Sequence, residues 1–337
     1  MNGPAWQQAT VVHLVCGGDN AVTPTSADDW LRLAESARLA AARSITLSDH
    51  PEEAQVILFV GSCWADNRDV RRHPLVRRFP ERCFLYYSED HIFPFLPGVY
   101  PSLTPGIDPL RRARSGAYSS VLHIAIPHLP FDEQAPWLFS FRGSFSTHRS
   151  RRRLQALVGS PRSCIEDISA ADGAAIQGSP HAPGAHRQAF INLLQASKFC
   201  LCPRGRSPSS WRLFETLRAG RVPVIISDAW LPPPIDTPWE AFSIRVPERH
   251  VQAIPAILRN READAPAMAQ LAREVYEQWF AMEMLFVRII EQCLTIQQCR
   301  RLPERFARHL ALLPLLRPDL ARRFLLPRLK RSLLPLA

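Results

Sequence analysis

The 337-residue sequence predicts an α/β protein of two doubly wound parallel domains followed by a helical, basic C-terminal tail. Three observations carry this. Short, continuously apolar runs recur along the chain, and such runs fit strands buried on both faces. Helix-length segments with an apolar face separate them, the rhythm of a parallel sheet with crossover helices. The rhythm occurs twice, on either side of a proline-rich stretch, and at roughly 150 residues per domain the length allows two cores.

In the first series Thr10–Cys16 is a strand that ends in Gly17-Gly18-Asp19-Asn20. Ser26–Ala42 follows as an amphipathic helix, with Ser26 as its N-cap and Asp28 and Asp29 in the first turn. Val56–Gly61 is the second strand, Asn67–Arg78 a basic helix, Cys83–Tyr87 the third strand and Val121–Ile126 the fourth. Ile126–Trp137 has three prolines and no period, and is assigned as a linker.

The second series runs Leu138–Arg142 (strand), Thr147–Val158 (helix) and Ser163–Ile168 (strand). A loop rich in Ala, Gly and Pro covers Ala170–His186, and Arg187–Ala196 is helical. Lys198–Cys202 (strand), Pro208–Ala219 (helix) and Val222–Ile226 (strand) come next. Phe242–Val246 is a last short strand, and Arg249–Cys299 is helical. The domains expected are therefore 1–137, 138–299 and a tail at 300–337.

Composition excludes several classes. Hydrophobic residues make up 46% and charged residues 21%, so the chain is globular rather than disordered. Fourteen glycines exclude a collagen-like chain. No apolar run approaches the ~18 residues that span a bilayer, and Met1–Thr10 lacks the basic start of a secretory signal. The eight cysteines form no C-x-x-C and mostly sit in apolar runs, which favours buried reduced thiols over zinc or disulfides. A cytoplasmic protein is expected. The net charge of +10 invites a phosphate-bearing partner, but +8 of it belongs to residues 300–337.

The segment Lys198–Asp228 carries the chemistry: strand, turn, helix, strand. Ser207 is placed as N-cap, Pro208 at the first helical position and Gly220 as the C-cap. Trp211, Phe214 and Leu217 face the sheet, and Arg212 and Glu215 share another face. The helix start presents the hydroxyls of Ser207, Ser209 and Ser210 beside free backbone N–H groups, a site suited to a diphosphate. Arg204, just before, adds a charged fork, and Glu215 suits a ribose diol. Each of these residues alone is more often a plain cap or a solvated pair. Their combination in one strand–turn–helix frame points to a ligand.

CPRG, SPSSWRLFE, AGRVPVIISD and FSIRVPE resemble the exostosin-type glycosyltransferases of family 47. FSFRGS at Phe139–Ser144 and SEDHIFPFLPGVYPSL at Ser88–Leu103 resemble the same family, the latter its bacterial members. The resemblance covers about Tyr87 to Pro247. It implies a GT-B architecture of two Rossmann-like domains, with the nucleotide-sugar donor, a UDP-sugar, on the C-terminal one. It implies inverting transfer to a glycan or lipid-linked glycan acceptor, with no cofactor and no obligatory metal. Arg204, Ser209, Ser210 and Arg212 would hold the diphosphate region, Glu215 the ribose, and Arg142 would be a second phosphate-facing cation. The chain has no Asp-x-Asp, the carboxylate pair with which metal-dependent transferases hold their ion. Arginines and helix ends would then neutralise the leaving nucleotide. A protein of the same fold that binds the donor without catalysis is the alternative.

Inverting transfer needs a base for the acceptor hydroxyl. Asp19, Asp66, Glu89 and Asp90 follow strands of the first domain; Asp90 is favoured because Pro94, Pro97 and Gly98 stiffen its loop, and Asp19 is the runner-up. His13 lies inside a strand and is assigned to the core. Asp228 is either a donor-pocket residue or a cap. The tail has apolar residues at Leu302, Phe306, Leu310, Leu313, Leu320, Phe324 and Leu325 among its arginines. It either lies on an anionic membrane surface, at the inner face, or packs back across the domains. Nucleic acid is disfavoured, since only Phe306 and Phe324 interrupt the basic run as aromatics.

Overall fold

The computed structural model describes residues 10–15, 24–40, 45–60, 69–88, 90, 93–119, 126–169 and 184–324. The chain forms two compact units, one of residues 1–116 with 286–337 and one of residues 117–285. The division therefore falls at Gly116 rather than at the proline-rich stretch, and the chain rejoins the first unit at Phe286. Phe286, Ile289, Ile290 and Cys293 are buried, and the Phe286 N–H donates to Ser36 Oγ at 3.2 Å. An apolar helix face of that kind needs a core to cover it.

The first unit holds strands β1 (Thr10–Val15), β2 (Ile45–Leu47), β3 (Val56–Val60), β4 (Cys83–Tyr86), β5 (Gly98–Tyr100) and β6 (Ala113–Ser115). Their order is β2-β1-β3-β4-β5-β6, all parallel. Helix α1 (Pro24–Ala40) starts at a proline, so Ser26 lies within its first turn and is not the cap. The expected basic helix at 67–78 is instead, in its described part, a 3-10 turn (Asp69–Arg72) and α2 (Pro74–Arg78). Pro74 restarts the helix, and His73 Nδ1 accepts from the Leu75 N–H at 3.2 Å. Of the expected strand at 121–126, residues 121–125 lie outside the described ones and Ile126 is in no strand. The short strand β5 rests on a glycine: a Cβ on Gly98 would lie 1.9 Å from the Leu85 carbonyl oxygen.

The second unit holds β7 (Trp137–Gly143), β8 (Ser163–Asp167), β9 (Ser197–Pro203), β10 (Val222–Ile226) and β11 (Ile244–Arg245). They run parallel in the order β8-β7-β9-β10-β11. Its helices are α3 (Arg149–Arg152), α4 (Gly184–Gln195), α5 (Trp211–Ala219), α6 (Ile254–Asn260) and α7 (Ala265–Trp279), with α8 (Met282–Gln298) next in the chain. Phe199 and Leu201 of β9 face the core that holds Phe139, Phe141, Leu154, Leu258 and Met268. Cys200 faces the other side, with Phe190, Leu194 and Ala219. Both faces are covered, which is why these strands are continuously apolar. From β7 the chain goes to one side for β8 and to the other for β9. The carboxyl ends of β7 and β9 thus flank a topological switch point, where open α/β sheets bind ligands.

Arg221, between α5 and β10, is fully buried. It donates to the carbonyls of Leu129 (2.8 Å), Pro130 (2.8 Å), Leu194 (2.9 Å) and Gly220 (2.9 Å). It thereby fastens the proline-rich stretch to the end of α4 and to the C-cap of α5. Gly220 there adopts the left-handed conformation, φ 69° and ψ 48°, as the sequence predicts. Burial pulls the Arg221 pKa down to about 10.

The described part of the C-terminal tail packs on the first unit through α9 (Glu304–Leu310) and α10 (Pro318–Phe324). Leu320 and Phe324 enter its core beside Phe93 and Phe95. Glu304 is buried and paired with Arg112, Nε–Oε2 at 3.1 Å and Nη2–Oε1 at 2.5 Å. Arg300 donates to the Glu81 carbonyl at 2.8 Å, and Glu81 Oε1 accepts from the Glu304 N–H at 2.6 Å. Among the described residues no helix is long and apolar enough to cross a membrane.

At the amino edge of the second sheet, Glu262 accepts from Arg162 (2.7 and 3.0 Å) and from Lys198 (2.7 Å). Hydrogen bonds from Arg162, and then from Lys198, hold its carboxyl down at about 2, against an ordinary 4.5. A carboxyl whose pKa is depressed by folding stabilises the fold above its unfolded pKa and ceases to as pH falls through its folded one. Glu262→Gln is expected to cost about 1 kcal/mol at neutral pH, the site being partly exposed. Urea unfolding of both proteins should show the difference narrowing from pH 4.5 towards pH 2.

Candidate functional site

At the carboxyl edge of the second sheet, β9 ends at Pro203 and the chain turns through Arg204–Ser210 into α5. The backbone of this turn is tied down. The Arg204 N–H donates to the Ile226 carbonyl at 3.0 Å, and Ser227 Oγ donates to the Pro208 carbonyl at 2.8 Å. Arg151 donates from Nε to the Arg204 carbonyl at 3.1 Å and from Nη2 to that of Pro203 at 3.4 Å. Its guanidinium also lies against Gly205, where a Cβ would approach Nη2 to 3.4 Å.

The helix begins later than the sequence predicts. Ser210, extended at φ −140° and ψ 130°, is the N-cap, so Ser207 is not, and Pro208 lies outside the helix. The Ser207 hydroxyl is engaged elsewhere: it meets the Tyr118 hydroxyl at 2.9 Å and the Ser209 carbonyl at 3.3 Å. These bonds hold the bends at residues 206–209 out of the helix, whose first turn starts at Trp211.

Two hydroxyls in this stretch have no such engagement. Ser209 and Ser210 are only 3% and 7% exposed, yet neither Oγ has a hydrogen-bond partner among the described residues. Nor does Ser210 Oγ cap its own helix. A buried polar group left unpaired costs about 1–3 kcal/mol, so the fold carries this pair at a disadvantage. The buried Arg204 Nε is likewise unpaired, and its Nη1 is 3.8 Å from Glu248 Oε1. Burial lowers the Arg204 pKa, with Glu248 opposing the shift. His148 caps α3 by accepting from the Ser150 N–H at 3.2 Å; burial and the Arg204 charge lower its pKa. Two unpaired hydroxyls, an arginine and a helix start with open N–H groups have the chemistry of a candidate anion site.

Beside them stand two ion pairs. Arg142, near the end of β7, pairs with Glu166 of β8, and its Nη2 lies 3.3 Å from His186 Nδ1. Since an arginine only donates, the His186 nitrogen is the acceptor of that contact. Arg212 pairs with Glu215 on α5, donates from Nε to the Arg142 carbonyl at 3.1 Å, and lies 3.8 Å above the Phe190 ring centre. The expected Arg212–Glu215 face is thus formed, and both side chains are anchored.

Asp228 is exposed and clipped to Glu248: Glu248 N–H donates to Asp228 Oδ1 at 3.0 Å, and Asp228 N–H to Glu248 Oε1 at 3.3 Å. This is the geometry of a cap. Glu248 is buried and touches both Arg204 and Asp228, and sequence reasoning passed over it. Its signal was its place at the end of FSIRVPE. Tyr118 was passed over too, and nothing in the sequence around it marks it. Of the base candidates, Asp90 is half-buried beyond β4 in the first unit, and Asp19, Asp66 and Glu89 lie outside the described residues. His13 Nδ1 lies 2.9 Å from the Ser48 carbonyl, a satisfied structural histidine. Four described cysteines, Cys83, Cys200, Cys202 and Cys293, are buried free thiols, while Cys164 is half-buried and Cys299 exposed.

The second unit is therefore a parallel α/β unit with buried, unpaired polar groups at its switch point. Residues 112–261 match the Exostosin GT47 domain, a span that lies almost wholly in the second unit. An Exostosin-1 homolog of Caenorhabditis elegans is 42% identical over 93 residues, 27% of this chain and 24% of that protein. Exostosin-1 of Drosophila melanogaster is 38% identical over 96 residues, 28% of this chain and 13% of that one. The rice protein named probable glucuronosyltransferase GUT1 is 40% identical over 76 residues, 22% of this chain and 18% of that protein. The chain thus matches a quarter or less of the length of these relatives. Among solved structures, sucrose-phosphate synthase from Thermosynechococcus elongatus matches 87% of this chain and 98% of its own, with TM-score 0.45 and 11% identity.

Glu248→Ala removes the acceptor of the Asp228 N–H and the carboxylate beside Arg204. A loss of about 2 kcal/mol is expected, the scale of a buried hydrogen bond to a charged group, and chemical denaturation measures it.

Proposed function

We propose that the protein is a metal-independent, inverting glycosyltransferase of the GT-B kind, moving a sugar from a UDP-sugar to a glycan acceptor in the cytoplasm. The observation that carries this is the pair of buried, unpaired hydroxyls of Ser209 and Ser210, set with Arg204 at the start of α5. A diphosphate supplies the acceptors that these donors lack. The exostosin-type relatives make a nucleotide-sugar the natural bearer of that diphosphate.

The proposed roles are these. Ser209, Ser210, Arg204 and the helix N–H groups hold the diphosphate and take up charge as the sugar–phosphate bond breaks. Arg212 and Arg142 stand behind them, each already held by a carboxylate. Glu215 gives one oxygen to Arg212 and keeps lone pairs for a ribose diol. Ser207 and Asp228 hold the turn and the strand end in place rather than touch the donor. The acceptor oxygen attacks the anomeric carbon from the face opposite the leaving phosphate, and its proton passes to a carboxylate, with Asp90 proposed for that task. Arginines and a helix start supply the positive charge such a leaving group needs, which supports transfer without an obligatory metal.

Calorimetry with UDP-sugars, UDP-glucuronate among them, and with GDP-sugars tests this. The Ser209→Ala/Ser210→Ala variant is expected to lose at least tenfold in donor affinity while its stability stays level or rises, because two unsatisfied hydroxyls are gone. Arg204→Ala should abolish binding with the fold intact. Unchanged affinity in both variants refutes the site. Donor binding with no turnover across a panel of glycan acceptors would make the protein a non-catalytic nucleotide-sugar binder.

A further inference from the structure

Nine large apolar side chains are exposed among the described residues, and five of them, Leu302, Phe306, Leu310, Leu313 and Leu316, lie between 302 and 316. Their spacing of four, four, three and three residues puts them on one side of α9 and the turn after it. The opposite side is committed to the fold. Glu304, Ala307, Ala311 and Pro314 are buried, and the Arg112–Glu304 pair locks this face inward. The apolar stripe is therefore held outward and has no freedom to roll into the core.

Cations accompany the stripe. Arg301, Arg305, Arg317 and Arg322 are exposed, and Arg305 lies 4.9 Å from the Phe306 ring centre. The one exposed acid between 300 and 324 is Asp319, paired with Arg317 at 3.0 Å. An apolar row edged by arginines matches a surface that is oily beneath and anionic above. A second copy of the chain fits poorly, since it would set the same arginines against each other. Nucleic acid leaves five apolar side chains without a partner.

We propose that this stripe seats the first unit on an anionic lipid bilayer, with Leu302, Phe306, Leu310, Leu313 and Leu316 among the acyl chains and the flanking arginines at the phosphates. The surface acts independently of the donor site, whose residues lie in the other unit.

Vesicle flotation of the full chain tests it. Vesicles of equal parts phosphatidylglycerol and phosphatidylcholine should carry the protein, and phosphatidylcholine alone should not. High salt should weaken the binding. Phe306→Glu/Leu316→Glu should reduce binding at least tenfold, and Arg301→Glu/Arg305→Glu should do the same. All four positions are exposed, so the variants should keep the parent's melting curve. The proposal fails if the parent does not float, or if correctly folded variants float equally well. It also fails if gel filtration reveals a dimer that Leu316→Glu dissolves, which would assign the stripe to a second copy.

Discussion

Arg221 carries its charge into a place closed to water, and backbone carbonyls stand in for the water around it. Among the described residues no carboxylate hydrogen-bonds to it; the nearby Asp132 charge and the Phe131 ring at 5.5 Å help, but the close contacts come from backbone passing in the right places. Leu129 and Pro130 must come to it from the proline-rich stretch, Leu194 from the end of α4, and Gly220 from the turn it adjoins. Each prolines-and-glycine feature then has a mechanical sense. Gly220 turns left-handed so that the chain can reverse into β10, and that reversal places the guanidinium among its acceptors. With its C-terminal end fixed in this way, α5 is a short rigid rod whose other end is the anion site.

The two edges of the second sheet show how stability and binding are kept apart. At the amino edge, Glu262 pairs with both Arg162 and Lys198. At the carboxyl edge, the backbone of Arg204–Ser210 is tied by Arg151, Ser227 and Ile226, while Ser209 and Ser210 keep hydroxyls with no partner among the described residues. The unsatisfied groups are thus presented by an immobilised backbone. A ligand that meets them pays little to order the turn, and this is what preorganisation contributes to affinity. Local violations of good packing practice of this kind gather where a protein works.

How much of this was legible in the sequence varied with the size of the signal. β3, β9 and β10 were plain because burial on both faces makes every residue apolar. The Gly220 stop was plain because a single backbone conformation demands it. β2, β5 and β6 were not, since three-residue strands gain their pairing from neighbours and leave no run to detect. The start of α5 was misplaced for a sharper reason. Ser207-Pro208 has every local mark of a helix start, but Tyr118, far off in sequence, engages the Ser207 hydroxyl. Local capping preference lost to a tertiary bond. Arg204, Ser209, Ser210, Arg212 and Glu215 were legible as a group because one motif holds them. Glu248 was not singled out, because its place at the end of FSIRVPE is a weak mark until the fold brings Arg204 to it.

The net charge of +10 looks different once the chain is folded. Most of the excess sits beyond residue 299, and a sequence alone offers two uses for it, a solvated surface or an internal tether. The structure divides it between both. Arg300 turns inward to Glu81, and Arg112 of the body meets Glu304 of the tail in a buried pair. Arg301, Arg305, Arg317 and Arg322 stay outside beside exposed leucines. A segment that buries its paired charges on one side and exposes others on the opposite side has an orientation as well as a position. The buried pair sets which apolar residues face out, and so the internal electrostatics of the first unit decide what its surface can touch.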